Sequence, residues 1–102
     1  MSPAMEFRIE LTPEAHDHLD DLTARQRTHL LEAVARQLAH EPELRTRNRA
    51  PLRPNPLARF RLRVGDLRAY YDVTVDERLV LIKAIGIKRR DRVFIGGVEI
   101  QL

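Results

Sequence analysis

The chain contains no cysteine, so neither disulfides nor thiolate metal ligands hold it together, and a reducing cytoplasm is the expected compartment. Long apolar runs are missing too. The longest wholly apolar stretch, Leu79 to Ile82, is far too short to cross a bilayer or to form a signal-peptide core, so no membrane partner is expected. There is no Gly-rich phosphate loop, no Gly-x-Ser-x-Gly and no His-Glu-x-x-His, which removes the common nucleotide-binding, serine-hydrolase and zinc-protease readings. His16-Asp17-His18 hints at a metal, but residues two apart do not share a helix face, and neither a metal nor any other cofactor is expected. Without linker or repeat, residues 1–102 read as one domain, large enough to bury roughly 60–65% of the surface its unfolded chain exposes.

What the sequence does have is arginine, unevenly spread. Residues 1–44 carry 4 Arg against 9 Asp/Glu, a balance of −5, whereas residues 45–92 carry 14 Lys/Arg against 5 Asp/Glu, a balance of +9. Such polarity points to a polyanionic partner on one side of the molecule and a different role for the other.

Phe7, Ile9 and Leu11 alternate with polar residues and predict a first strand. Thr12-Pro13-Glu14 then starts a helix, with threonine as N-cap, proline at the first helical position and a carboxylate near the positive end of the dipole. Its inward stripe is Ala15, Leu19 and Leu22. Thr23 and Gln26 have capping-box spacing for a second helix, with Leu30, Leu31, Val34, Ala35 and Leu38 as apolar positions, ended by Glu41-Pro42. Residues 41–57, with four prolines and four arginines, read as an ordered basic loop. Leu79 to Ile85 suggests a central strand covered on both faces. A basic turn, Lys88 to Arg92, follows, and Val93, Ile95, Val98, Ile100 and Leu102 make a last strand pair or bent strand around Gly96-Gly97. The predicted fold is α+β: an N-terminal strand and an antiparallel helical hairpin packed on one face of a mostly antiparallel four- or five-stranded sheet.

Between Leu57 and Val73 an arginine stands first at every second position, Arg59, Arg61 and Arg63, and a fourth, Arg68, follows in the next strand. Gly65-Asp66 reads as a two-residue hairpin loop, glycine supplying the positive φ of a type II′ turn. Val64 then faces Leu67, Leu62 faces Ala69 and Phe60 faces Tyr71 on one side of the hairpin. On the other, Arg63 faces Arg68, Arg61 faces Tyr70 and Arg59 faces Asp72. One side is a core and the other a cationic plate, which Lys88, Arg89 and Arg90 can join. Guanidinium groups bind phosphate bidentately and tyrosine offers a stacking surface, so single-stranded RNA fits this plate better than duplex DNA.

The order Thr12-Pro13-Glu14-Ala15, two helices, Pro51-Leu52-Arg53, the run LRVGDLRAYYDV over residues 62–73, and Ile85-Gly86-Ile87-Lys88-Arg89 resembles the RelE/ParE superfamily of type II toxins. The resemblance implies a small toxin neutralised by an antitoxin encoded beside it. RelE-type members enter the ribosomal A site and cut mRNA, whereas ParE-type members poison DNA gyrase with no nuclease chemistry. By this resemblance the chain is expected to be an mRNA endoribonuclease, with the 2′-hydroxyl attacking the adjacent phosphate; the alternatives are a non-catalytic ParE-like inhibitor of DNA gyrase and a plain RNA-binding module. Arg61 and Arg68 would hold the scissile phosphate, Lys88 would carry the proton, Arg59 and Arg63 would bind flanking phosphates, Tyr70 would stack a base, and Arg89 and Arg90 would add charge. A tyrosine near the family's C-terminus falls here on Phe94, which has no hydroxyl.

Overall fold

Thr12 and Thr23 start both helices as their contexts predict. In the computed structural model, which describes residues 6–101, the Thr12 side chain accepts a bond from the Ala15 N–H at the head of α1 (Pro13–His18), which runs on into a 3₁₀ turn, Leu19–Asp21. Thr23 and Gln26 form a complete capping box on α2 (Ala24–Leu38), each side chain bonding the other's backbone. The buried stripe of α2 is Leu30, Ala33, Val34 and Leu38; Leu31 and Ala35, expected inside, face solvent.

Among the described residues seven strands form one sheet, wider than the four or five expected: β1 (Arg8–Leu11), β2 (Arg49–Pro51), β3 (Phe60–Val64), β4 (Leu67–Thr74), β5 (Leu79–Arg89), β6 (Arg92–Ile95) and β7 (Val98–Ile100). The order is β2-β3-β4-β5-β6-β7, with β1 also on β5. The additions are short. Residues 49–51, read as loop, pair with Leu62, Arg61 and Phe60 at the sheet edge, where a proline can stand. Gly96 and Gly97, both at positive φ (58° and 79°), close a two-residue turn that makes the last segment a strand pair. Leu102 lies outside the described residues.

The β3–β4 register is the one predicted, pair for pair, from Val64 opposite Leu67 to Phe60 opposite Tyr71. Gly65 alone in the turn has positive φ (59°), as type II′ requires. β5 is less regular. On one side it pairs with β4; on the other, β1 runs parallel to residues 79–82 and β6 antiparallel to residues 86–89. The gap between them is filled from α1 and its cap. Thr12 Oγ1 donates to the Lys83 carbonyl (3.3 Å), and His18 Nδ1 accepts from the Ile85 N–H (3.2 Å). A bulge at Lys83 sets Tyr71 opposite Ile82 but Tyr70 opposite Ala84, so Val80 and Ile82 before it share a face with Ile85 and Ile87 after it.

That face meets the helices. Leu62, Val64, Leu67, Ala69, Tyr71 and Val73 join these β5 residues against Ala15, Leu19, Leu22 and the α2 stripe. The opposite face is not a bare plate, as the alternation suggested. A second apolar cluster of Ala58, Tyr70, Ala84 and Ile95 sits there, flanked by Leu52, Leu57, Val93 and Ile100. The loop after β2 folds back to make it. Asn55 holds that loop, donating to the Arg53 and Ala58 carbonyls and accepting from the Leu57 and Ala58 N–H groups.

Candidate nucleic-acid interface

Beside the second cluster, the arginine side of the hairpin opens into a groove of about 480 Å³. Arg61, Arg63 and Arg68 line it, with Lys88 from the far end of β5. All three predicted catalytic positions, Arg61, Arg68 and Lys88, therefore meet in one place, and Arg63 joins them. The wall opposite the hairpin is β6 and β7, which contribute Val93, Glu99 and Ile100.

The cations are held in place. Arg68 is only 6% exposed, and its Nη1 donates to the Gly65 and Leu67 carbonyls at 2.7 and 3.0 Å. Burial pushes its guanidinium below the ordinary value; Tyr70 opposes that fall, Arg61 and Arg63 deepen it, and Asp66 opposes it again. An arginine nonetheless stays charged at any working pH. Arg61 Nε is buried with no hydrogen-bond partner. Arg63 reaches sideways, its Nη2 donating to the Arg47 carbonyl (3.2 Å). Three guanidiniums crowded together and partly dehydrated are unfavourable by themselves and become favourable when an oxyanion enters.

The other predicted residues are placed differently. Tyr70 is 2% exposed, its ring sealed in the second apolar cluster, so it is not a stacking surface for a base. Burial raises its phenol pKa, with Arg68 and Arg61 opposing, so the hydroxyl stays protonated at neutral pH. Arg59 lies just outside β3; its N–H bonds Asp72 Oδ1 (2.7 Å), and it does not line the groove. Arg89 projects to the opposite face from Lys88, as strand alternation requires, and Arg90 sits at the β5–β6 turn with φ 59°. Phe94 also lies on that opposite face, level with Ile87.

Sequence reasoning missed the rest of the groove lining: Leu52, Asp91, Arg92, Val93, Glu99, Ile100 and Gln101. Glu99 pairs with Arg92 at 3.5 Å. The Gly96-Gly97 pair was the available signal, since a tight turn there sets Glu99 opposite Phe94 and folds the last strand back along β6.

A family profile described as the ParE toxin of type II toxin-antitoxin system, parDE, matches residues 9–92. The chain belongs to this family of toxins. The toxin's fold is similar to that in the RelBE2 toxin-antitoxin complex from Mycobacterium tuberculosis, with 24% identity and a TM-score of 0.72 over 82% of this chain and 93% of that one. It is also similar to that in the archaeal RelE-RelB complex from Pyrococcus horikoshii, with 23% identity and a TM-score of 0.66 over 84% of this chain and 99% of that one. No curated protein matches the sequence significantly. Among the described residues of the toxin, no helix is long and apolar enough to cross a membrane.

Proposed function

We propose that the toxin inhibits translation by binding ribosome-associated mRNA in the arginine groove and cleaving it. The carrying observation is the convergence of Arg61, Arg63, Arg68 and Lys88 on one groove, with Arg68 nearly buried and Arg61 Nε unpartnered. Arg61 and Arg68 clasp the scissile phosphate and Arg63 the next one, while Arg59 meets the strand beyond the groove. The 2′-oxygen bonds to phosphorus and the 5′-oxygen leaves, so one proton departs and another arrives. Arginines cannot carry either proton. Lys88 and Asp91 are the groove-lining residues that can, and the guanidiniums stabilise charge gathering on the phosphoryl oxygens.

Induced expression tests this. Protein synthesis should stop before DNA synthesis, with mRNA cut inside translated frames, and Arg61→Gln or Arg68→Gln should abolish both effects. Early DNA damage with intact mRNA would establish a second reading, the ParE-type poisoning of DNA gyrase. That reading is favoured by Phe94, which lacks a hydroxyl and stands on the far face of the sheet from the groove.

A cognate antitoxin is the other partner in this reading. β7 ends the sheet path, and Val98 beside its open edge is 61% exposed. An extended antitoxin segment adding there as a strand would bring acidic residues over the groove that β7 walls. Affinity built mainly on buried apolar surface should survive salt that abolishes RNA binding. If both complexes dissolve in step across one salt series, the antitoxin is an electrostatic mimic of RNA and the edge-strand arrangement is wrong.

A further inference from the structure

The turn between β3 and β4 does more than reverse the chain. Type I′ and type II′ loops join two strands in the same register and differ by a flip of their central peptide, which carries the first loop residue's carbonyl from one face of the hairpin to the other. Here Gly65 alone is at positive φ (59°), so the loop is type II′. In that geometry the Gly65 carbonyl lies on the arginine side, where Arg68 Nη1 donates to it at 2.7 Å. The same nitrogen donates to the Leu67 carbonyl at 3.0 Å.

A guanidinium carries five N–H donors in one fixed plane. The two on Nη1 are occupied by these carbonyls, which leaves the edge formed by Nε and Nη2 as the one that can grip an oxyanion through two parallel bonds. One bond would let the plane swing; two hold it. The turn also secures the far side of the groove, since the Asp66 carbonyl accepts from the Lys88 N–H at 2.7 Å. A flip of the central peptide spares that bond, because ψ at the second loop position is roughly 0° in both turn types. Of the two groove cations tied to the loop, Arg68 alone would register it.

The order of the loop residues points the same way. Asp-Gly or Asn-Gly is the stronger hairpin signal and selects type I′, yet this chain places glycine first. Close packing does not require it, for a Cβ at Gly65 would meet nothing within 4 Å. The turn type does.

We propose that Gly65 is a positioning residue, whose carbonyl, kept on the groove side by the type II′ turn, aims the Arg68 guanidinium at a phosphate. The proposal rests on the RNA reading of the groove and adds to it a backbone group that acts through Arg68.

Gly65→Asn combined with Asp66→Gly converts the loop to type I′ in the same register, whereas Asp66→Asn alone removes the same charge and keeps glycine first. Affinity is measured for a single-stranded octanucleotide, 2′-O-methylated so that it is not cut. Asp66→Asn should bind at least as tightly as wild type. The double variant should bind roughly three- to tenfold more weakly, the cost of ordering one long side chain. In an Arg68→Gln background the same loop change should alter affinity by less than about twofold, because the carbonyl acts through that side chain. Side-chain NMR of the RNA-free wild type needs no variant: a tethered guanidinium does not rotate about its Cζ–Nε bond, so Arg68 should give separate Nη signals. Averaged signals, undiminished affinity in the double variant, or an equal loss with and without Arg68 would overturn the positioning role while the groove stands. If Arg68→Gln leaves RNA binding unchanged, the RNA reading of the groove falls and the positioning role with it.

Discussion

Tyr71 ties the sheet to the segment that follows α2, and removing its hydroxyl isolates one interaction. Its ring is fully buried and stacked on Phe60, with centroids 5.4 Å apart and planes at 18°. Its hydroxyl donates to the Pro42 carbonyl at 2.8 Å, a bond buried at both ends. Tyr71→Phe keeps the ring and opens no cavity. It leaves the Pro42 carbonyl without a donor, which costs about 1–3 kcal/mol. In a domain of this size each kcal/mol moves Tm by roughly 4–8 °C, so a drop of about 4–24 °C is expected. Urea denaturation at neutral pH should show a lower midpoint with an unchanged slope.

The pH dependence supplies a second arm. Burial pushes the Tyr71 phenol up to about 12, with Arg49 opposing and Glu43 adding to the rise, while a tyrosine in the unfolded chain titrates near pH ~10. Between those values the unfolded chain releases a proton that the folded chain keeps. The stability from the raised pKa is therefore fully present below about pH 10 and is lost as pH climbs towards 12, by roughly 2–3 kcal/mol in all. Tyr71→Phe has no such proton. The stability curves of the two proteins should converge above about pH 10 and can cross. Parallel curves, or a neutral-pH difference within about 0.5 kcal/mol, the ordinary scatter of surface substitutions, would refute the reasoning.

Gly86→Ala should destabilise by about 1–3 kcal/mol, since a Cβ there meets the Phe94 carbonyl and Ile95 Cγ1 at 3.0 Å and β6 must shift; a denaturation midpoint equal to wild type would show that β6 yields freely. If single-stranded RNA contacts the toxin through about four phosphates, log affinity against log salt should fall with a slope near −3, and Arg63→Gln should lessen it by about 0.7. An unchanged slope would remove Arg63 from the contact. Arg68→Met should leave stability equal or raised, because it takes out a dehydrated cation crowded by Arg61 and Arg63, while RNA affinity falls. A marked loss of stability would mean that the bonds to Gly65 and Leu67 matter more than the repulsion.

The arginine hairpin was legible in full because two constraints coincide there. A two-residue Gly-Asp loop allows one register, and strict alternation leaves one way to assign the faces. β5 offered neither. Its run from Leu79 to Ile85 is apolar at nearly every position, so the bulge at Lys83, which swaps the faces midway, leaves no trace in the pattern. Arg49–Pro51 was hidden by its proline, which weakens a strand reading everywhere except at an edge. The candidate site was half legible: Arg61, Arg63, Arg68 and Lys88 converge as alternation implied. Tyr70 was misplaced because its burial depends on a loop folding back from residues 52–58, a long-range contact that no local pattern encodes. The apolar Leu52, Leu57 and Ala58 in an otherwise basic loop were the one available sign.

That second apolar cluster changes how the cationic groove works. An arginine on a freely solvated sheet face is hydrated and mobile, so binding a phosphate means ordering a long side chain and stripping its water, each at a cost. Here Tyr70, Ala84 and Ile95 fill the floor beside the groove, and Arg68 is dehydrated and anchored to two carbonyls before any ligand arrives. Folding has already covered much of that cost, drawing on the helix-side core formed by the other face of the same strands. Crowding Arg61, Arg63 and Arg68 lowers the stability of the empty toxin and raises its affinity for an oxyanion by the same electrostatic cause. A partner that neutralises the groove should therefore stabilise the fold as well as silence it. An antitoxin that covers the groove would couple the toxin's persistence to its own presence: the bound form would gain what the free form lacks, and its loss would expose a site already organised to bind.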